Sequence, residues 1–91
     1  MINYQNNKPF VEGVAIEDIA SSHATPMYVY SQKKIEEKYN KLKNTLNAEI
    51  FYAVKANSNQ AIIKLMSTVG AGADVVSVGE LERAITAGIN P

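Results

Sequence analysis

Glu49-Ile50-Phe51-Tyr52-Ala53-Val54-Lys55-Ala56-Asn57 is the stretch that decides the fold of this chain. Five apolar residues, Ile50 to Val54, run straight into one lysine. Small and turn-forming residues follow at once: Ala56, Asn57, Ser58 and Asn59. A short run rich in β-branched and aromatic side chains fits a strand buried on both faces. Lys55 then stands at the carboxyl end of that strand, which is where parallel α/β folds meet their ligands. Two roles are open to it. It can be a strand-end lysine whose aliphatic stem lies on apolar surface while its amine reaches water. It can also be a Schiff-base lysine, whose amine must be neutral to attack an aldehyde. The apolar neighbours Ile50 to Val54 and Ala56 are expected to favour that neutral form.

Downstream, Asn57 to Asn59 supply a turn and a helix N-cap. The helix is expected to run to Val69, with Ile62, Ile63, Leu65, Met66 and Val69 on its buried side, and to end at Gly70. Ala73 to Ser77 reads as a second buried strand. Gly79 opens a further helix, Glu80 to Ala87, with Leu81, Ala84 and Ile85 facing inward, and Gly88 closes it. Phe51 and Val75 are 24 residues apart, one strand-helix-strand period. Two successive βα units imply parallel strands joined by right-handed crossovers. The fold class is therefore α/β. The parent expected is a (β/α)8 barrel of about 250 residues, with a doubly wound sheet as the alternative. Gly70 to Ala73 precedes a strand and opens no helix, so it reads as a tight turn and not as a phosphate loop.

Asp74 is the second candidate site residue. It is either a strand-entry aspartate or a carboxylate beside Lys55 on the neighbouring strand. Contact needs the second strand to be staggered or shorter than Ala73 to Ser77, since Asp74 otherwise falls early in it. Ser77 and Glu80 lie nearer the expected mouth. Glu80 can equally be a first-turn acid that satisfies the helix dipole.

Upstream, residues 1–9 are polar and are expected to be loosely ordered. Phe10 to Val14 suggests a strand or hairpin piece around a glycine. Ala15 to Ser22 carries Ile16, Ile19 and Ala20 at helical spacing. His23 follows as a surface or capping residue. Thr25-Pro26 interrupts helix, and Met27 to Tyr30 reads as a short strand. Ser31 is a good N-cap for a helix with Ile35, Tyr39, Leu42 and Leu46 in one stripe. Its lysines and glutamates form a solvated face, with Glu37 and Lys41 spaced to pair.

Composition narrows the function classes. Of the 91 residues, 46% are hydrophobic and nine basic residues balance nine acidic ones, an ordinary globular make-up with no electrostatic footprint for nucleic acid. The longest apolar runs fall far short of the roughly 20 residues that span a membrane. The opening residues lack the apolar core of a signal peptide. A cytoplasmic, non-membrane protein is expected. The absence of cysteine removes disulfides and thiol chemistry. One histidine and no carboxylate cluster argue against a metal site.

Three segments then match one family in order: Thr25-Pro-Met-Tyr-Val-Tyr-Ser31, Tyr52-Ala-Val-Lys-Ala-Asn-Ser58, and Gly70-Ala-Gly-Ala-Asp-Val-Val-Ser-Val-Gly-Glu-Leu-Glu-Arg-Ala84. Together they resemble the diaminopimelate decarboxylases, pyridoxal-phosphate enzymes built on an alanine-racemase-like barrel. The likeness runs from about residue 10 to the end. It implies pyridoxal 5′-phosphate as cofactor, with Lys55 matching the lysine that holds it, hands it to substrate and handles protons. Asp74 matches an aspartate near that lysine. Ser77 and Glu80 match motif positions close to the site without a chemical role. The implied reaction converts meso-2,6-diaminopimelate to L-lysine and carbon dioxide, and the implied assembly is a homodimer. Residues 1–24 would be an N-terminal segment that joins a second, β-rich domain. Residues 25–91 would be the first part of the barrel. The family's phosphate cradle, pyridine-nitrogen acid, substrate-carboxylate arginines and catalytic cysteine all lie later in its chain. The 91 residues are thus expected to be an N-terminal piece that cannot decarboxylate alone. The alternatives are a sibling decarboxylase of arginine, ornithine or carboxynorspermidine, and a non-catalytic remnant or structural piece.

Overall fold

A computed structural model describes residues 1–91. The chain divides into two compact units, Met1–Lys38 and Tyr39–Pro91.

The first unit opens with an antiparallel meander. Strands β1 (Ile2–Gln5), β2 (Lys8–Val11) and β3 (Val14–Ala15) pair in that order, with Gln5 opposite Lys8 and Val11 opposite Val14. Both connections are two residues long. Asn6 and Asn7 have φ of 52° and 63°, and Glu12 and Gly13 have 49° and 77°. Left-handed conformations at both central residues give the twist that joins hairpin strands, and asparagine and glycine tolerate them. Residues 1–9 are therefore ordered, against expectation. Every residue of β1 is exposed, so it carries none of the apolar alternation that reveals a strand. Helix α1 (Ile16–Ser22) lies against β2 and β3. His23 ends it as a surface cap: its backbone N–H donates to the Ile19 carbonyl at 3.1 Å.

The Thr25–Pro26 peptide is cis. Met27 to Tyr30 forms no strand. The alternation is present, with Met27 and Val29 half-buried and Tyr28 and Tyr30 exposed, but a strand also needs a hydrogen-bonded neighbour. The two tyrosine rings stack, centroids 6.5 Å apart.

Ser31 caps α2 (Gln32–Leu46) as expected: its hydroxyl accepts from the Lys34 N–H at 3.1 Å. Of the predicted stripe, Tyr39 is buried and Ile35 half-buried, while Leu42 and Leu46 are 51% and 61% exposed. Glu37 and Lys41 form no ion pair; the one ion pair joins Lys8 to Glu17 at 3.2 Å. The side-chain link along α2 is Gln32 Nε2 donating to Glu36 Oε1 at 3.0 Å.

The second unit holds the two βα repeats. Strand β4 (Phe51–Ala53) runs into a single 3-10 turn, Val54–Ala56, then α3 (Gln60–Val69), β5 (Gly72–Asp74) and α4 (Val78–Thr86). β4 and β5 pair in parallel, Phe51 with Gly72, Tyr52 with Ala73 and Ala53 with Asp74. Three expectations need correction. Both strands are shorter than expected, and β5 ends at Asp74 where a run to Ser77 was expected. β4 is not buried on both faces: Phe51 is 59% exposed. α4 starts two residues earlier than expected, because Ser77 and not Gly79 caps it.

The core of this unit is Val54, Ile63, Ala84, Ala87 and Ile89, flanked by Tyr52, Ala73 and Val75. Ile63 of α3 and Val54 are fully enclosed. α4 turns Ala84 inward while Leu81 and Ile85 stay 44% and 50% exposed. Small residues let α4 approach closely, and the bulk comes from Ile89 beyond Gly88, whose φ of 101° turns the chain back. α3 ends the same way, Gly70 at φ 97° with the Ala71 N–H on the Met66 carbonyl at 3.0 Å. No helix is long and apolar enough to cross a membrane.

Candidate active site

The parallel register brings the two candidate residues to one end of the sheet. Ala53 and Asp74 are partners and are the last residues of β4 and β5. Lys55 lies two residues beyond Ala53 on the 3-10 turn. The stagger that the longer second strand would have required is unnecessary, because β5 stops at Asp74. Both side chains are exposed, and neither takes part in a hydrogen bond or ion pair. The apolar enclosure expected around Lys55 is not formed within this chain: Val54 points its bulk into the core, whereas Lys55 and Ala56 are exposed. A 3-10 turn has three residues per turn, so consecutive residues cannot share the buried side.

The turn that carries Lys55 is held from several sides. Val54 anchors it below, fully buried. The Asn57 N–H donates to the Val54 carbonyl at 3.1 Å and closes the turn. The Tyr52 hydroxyl donates to the Asn57 carbonyl at 2.7 Å, bridging from the strand before Lys55 to the loop after it. Asn57 Oδ1 accepts the Asn59 N–H at 3.0 Å, and Asn59 Oδ1 accepts the Ala61 N–H at 2.9 Å, so one asparagine shapes the loop and the other caps α3. The asparagines were legible as turn and cap residues. Tyr52 was not: a tyrosine in an apolar run reads as core, and only the folded turn shows where its hydroxyl lands.

Ser77 and Glu80 are accounted for structurally. Ser77 Oγ accepts the Glu80 N–H at 3.1 Å, and the Glu80 carboxylate accepts the Val76 N–H at 3.1 Å. This reciprocal capping satisfies two orphan amides at the amino end of α4.

What the mouth of these two strands presents is a primary amine with no competing partner, on a braced turn, next to a strand that ends in a carboxylate. A free amine can condense with an aldehyde. The donor set fits a carbonyl cofactor held through lysine.

Comparison with known proteins gives the class to which the chain belongs. Residues 32–91 match the family described as pyridoxal-dependent decarboxylase, pyridoxal binding domain. The chain belongs to that family. Among its relatives, the diaminopimelate decarboxylase of Aquifex aeolicus is 44% identical over 91 residues, which cover 99% of this chain and 22% of the relative. That of Pseudomonas aeruginosa is 42% identical over 92 residues, covering 98% and 22%. The crystal structure of diaminopimelate decarboxylase from M. jannaschii in complex with L-lysine superposes with a TM-score of 0.92 at 32% identity, over 98% of this chain and 23% of that one. The chain thus spans about a fifth of the length of the curated relatives it matches.

Proposed function

We propose that this chain is the cofactor-bearing opening of a carboxy-lyase that converts meso-2,6-diaminopimelate to L-lysine and carbon dioxide, with pyridoxal 5′-phosphate held by Lys55. The observation that carries this is the position of Lys55: an exposed, unbonded amine on a braced turn at the carboxyl end of β4, with Asp74 ending the partner strand. The identity to several diaminopimelate decarboxylases supports the substrate.

When bound, the cofactor supplies the electron sink that loss of a carboxylate requires. The chain's own residues do the rest. Lys55 Nζ holds the cofactor, releases it when the substrate amine takes its place, and can carry a proton to and from the reacting carbon. Asp74 ends the partner strand at the same mouth and is the carboxylate assigned to the cofactor site. Val54 and Tyr52 keep the turn from shifting under that exchange. In this proposal residues 25–91 form the first part of a (β/α)8 barrel, and residues 1–24 form a segment that joins a second, β-rich domain. The working assembly is a cytoplasmic homodimer.

The test uses the protein of family length that carries this sequence. It is incubated with pyridoxal phosphate, reduced with borohydride and digested, and lysine release from meso-diaminopimelate is assayed in parallel. The proposal expects the label on the peptide containing Lys55, and loss of label and product in Lys55→Ala. A label on another lysine, or turnover of arginine, ornithine or carboxynorspermidine in place of diaminopimelate, overturns it.

A further inference from the structure

The loop after Lys55 has a second tether, which comes from α4. Arg83 Nη1 donates to the Ser58 carbonyl at 3.2 Å and to Gln60 Oε1 at 3.3 Å. Gln60 Nε2 returns a bond to the Arg83 carbonyl at 2.9 Å. The two side chains therefore clasp each other and the backbone three residues beyond Lys55. Arg83 neighbours Ala84, which packs in the core with Val54, the residue before Lys55. One helix thus grips the Lys55 turn at both ends, through apolar contact before the lysine and through a guanidinium after it. α4 is also the helix that follows Asp74, with only Val75 to Ser77 between. A shift of α4 would move the Lys55 loop and the Asp74 loop together.

From this geometry we propose that Arg83 is a positioning residue for Lys55, acting through Ser58 and Gln60. The inference rests on Lys55 being the cofactor lysine. Arg83 touches no reacting atom. It fixes the loop on which the amine is carried, so that the amine meets the cofactor aldehyde in one orientation instead of sampling several. A guanidinium suits this task because it is rigid and planar, so the two hydrogens of Nη1 are held in fixed directions toward the backbone carbonyl and the side-chain amide. Gln60 is the complementary half, since its amide both accepts from the guanidinium and donates back.

The test compares wild type, Arg83→Met, Arg83→Lys and Gln60→Ala in the protein of family length. Three readouts are used: the rate at which borohydride-trapped pyridoxal label appears on Lys55, amide hydrogen exchange across residues 57–61, and the steady-state KM and kcat. Loss of the clasp should slow labelling about fivefold in Arg83→Met, the scale of one ordinary net hydrogen bond, because the clasp is exposed and its charge is screened. Exchange at the Asn59 and Ala61 amides should rise by a similar factor, while the Ala87 and Ile89 amides stay at wild-type rates. Arg83→Lys should recover part of the labelling rate, and KM and kcat should show the loss mainly in kcat. Should Arg83→Met not fold, Gln60→Ala removes two of the three bonds but leaves the guanidinium on the Ser58 carbonyl, and carries the same expectation at about twofold. Wild-type labelling and exchange in both variants, or faster exchange spread evenly over α4, overturn the proposal. Absence of label on Lys55 in the wild type instead overturns the cofactor assignment, and the exchange measurement still decides whether the clasp orders the loop.

Discussion

Val54→Ala is the substitution that probes the base of the site most directly. Val54 is fully enclosed among Ile63, Ala84, Ala87 and Ile89, and it is the residue on which the Lys55 turn rests. Truncation removes two buried carbons, about 1.6 kcal/mol of transfer free energy, and opens a cavity that its neighbours cannot fill. Ala84 and Ala87 are too short to reach into it, and Ile63 is held in mid-helix by α3. The cavity adds about 1 kcal/mol, for a total of roughly 2.5 kcal/mol. Urea denaturation followed by far-ultraviolet circular dichroism measures this. With a slope of about 1 kcal/mol per molar for a domain of this size, the midpoint falls by roughly 2.5 M. Val76→Ala is the matched control, because Val76 is 68% exposed and in the loop before α4. Its cost should stay within about 0.5 kcal/mol. Equal costs for the two would refute the assignment of Val54 as the keystone of the second unit.

Two further outcomes follow from the structure. Gly72 has no room for a side chain: a Cβ there would stand 2.5 Å from the Phe51 ring. Gly72→Ala should therefore destabilise by about 1 kcal/mol through an off-rotamer Phe51, and the cost should vanish in a Phe51→Ala background when the two are compared in a double-mutant cycle. Asn59→Ala removes the α3 N-cap bond to the Ala61 N–H and should cost about 1 kcal/mol, with Asn59→Asp recovering most of it in the same denaturation assay.

Much of the second unit was legible because its signals are local. The asparagines at 57 and 59, the glycines at 70 and 88 and the stripe of α3 each act within a few residues of themselves. Ser31 and His23 were legible for the same reason. The errors share a different cause. β1 went unrecognised because a fully exposed strand leaves no apolar trace, and its only mark is the pair of turn asparagines. Met27 to Tyr30 looked like a strand because alternation reports side-chain faces but not the presence of a partner. Leu42, Leu46, Leu81 and Ile85 were assigned inward because periodicity shows which residues share a face, not what covers that face. β5 ends earlier than its composition suggests, because Val75 and Val76 are as apolar as a strand while the Ser77 cap that follows acts through a hydrogen bond to Glu80.

The order of residues by itself determined a strand at Glu49 to Asn57 that leads into a lysine, two βα repeats from there to Gly88 and, through the motifs around them, membership of a pyridoxal-dependent family. Those are properties of residue order and near-neighbour chemistry. Tertiary structure alone decided that Asp74 ends its strand level with Ala53, that Tyr52 braces the Lys55 loop and that Arg83 reaches Ser58 and Gln60. These depend on strand register and on where one helix lies against another. Both are set by packing between residues far apart in the chain, with the small side chains of Ala84 and Ala87 allowing the close approach.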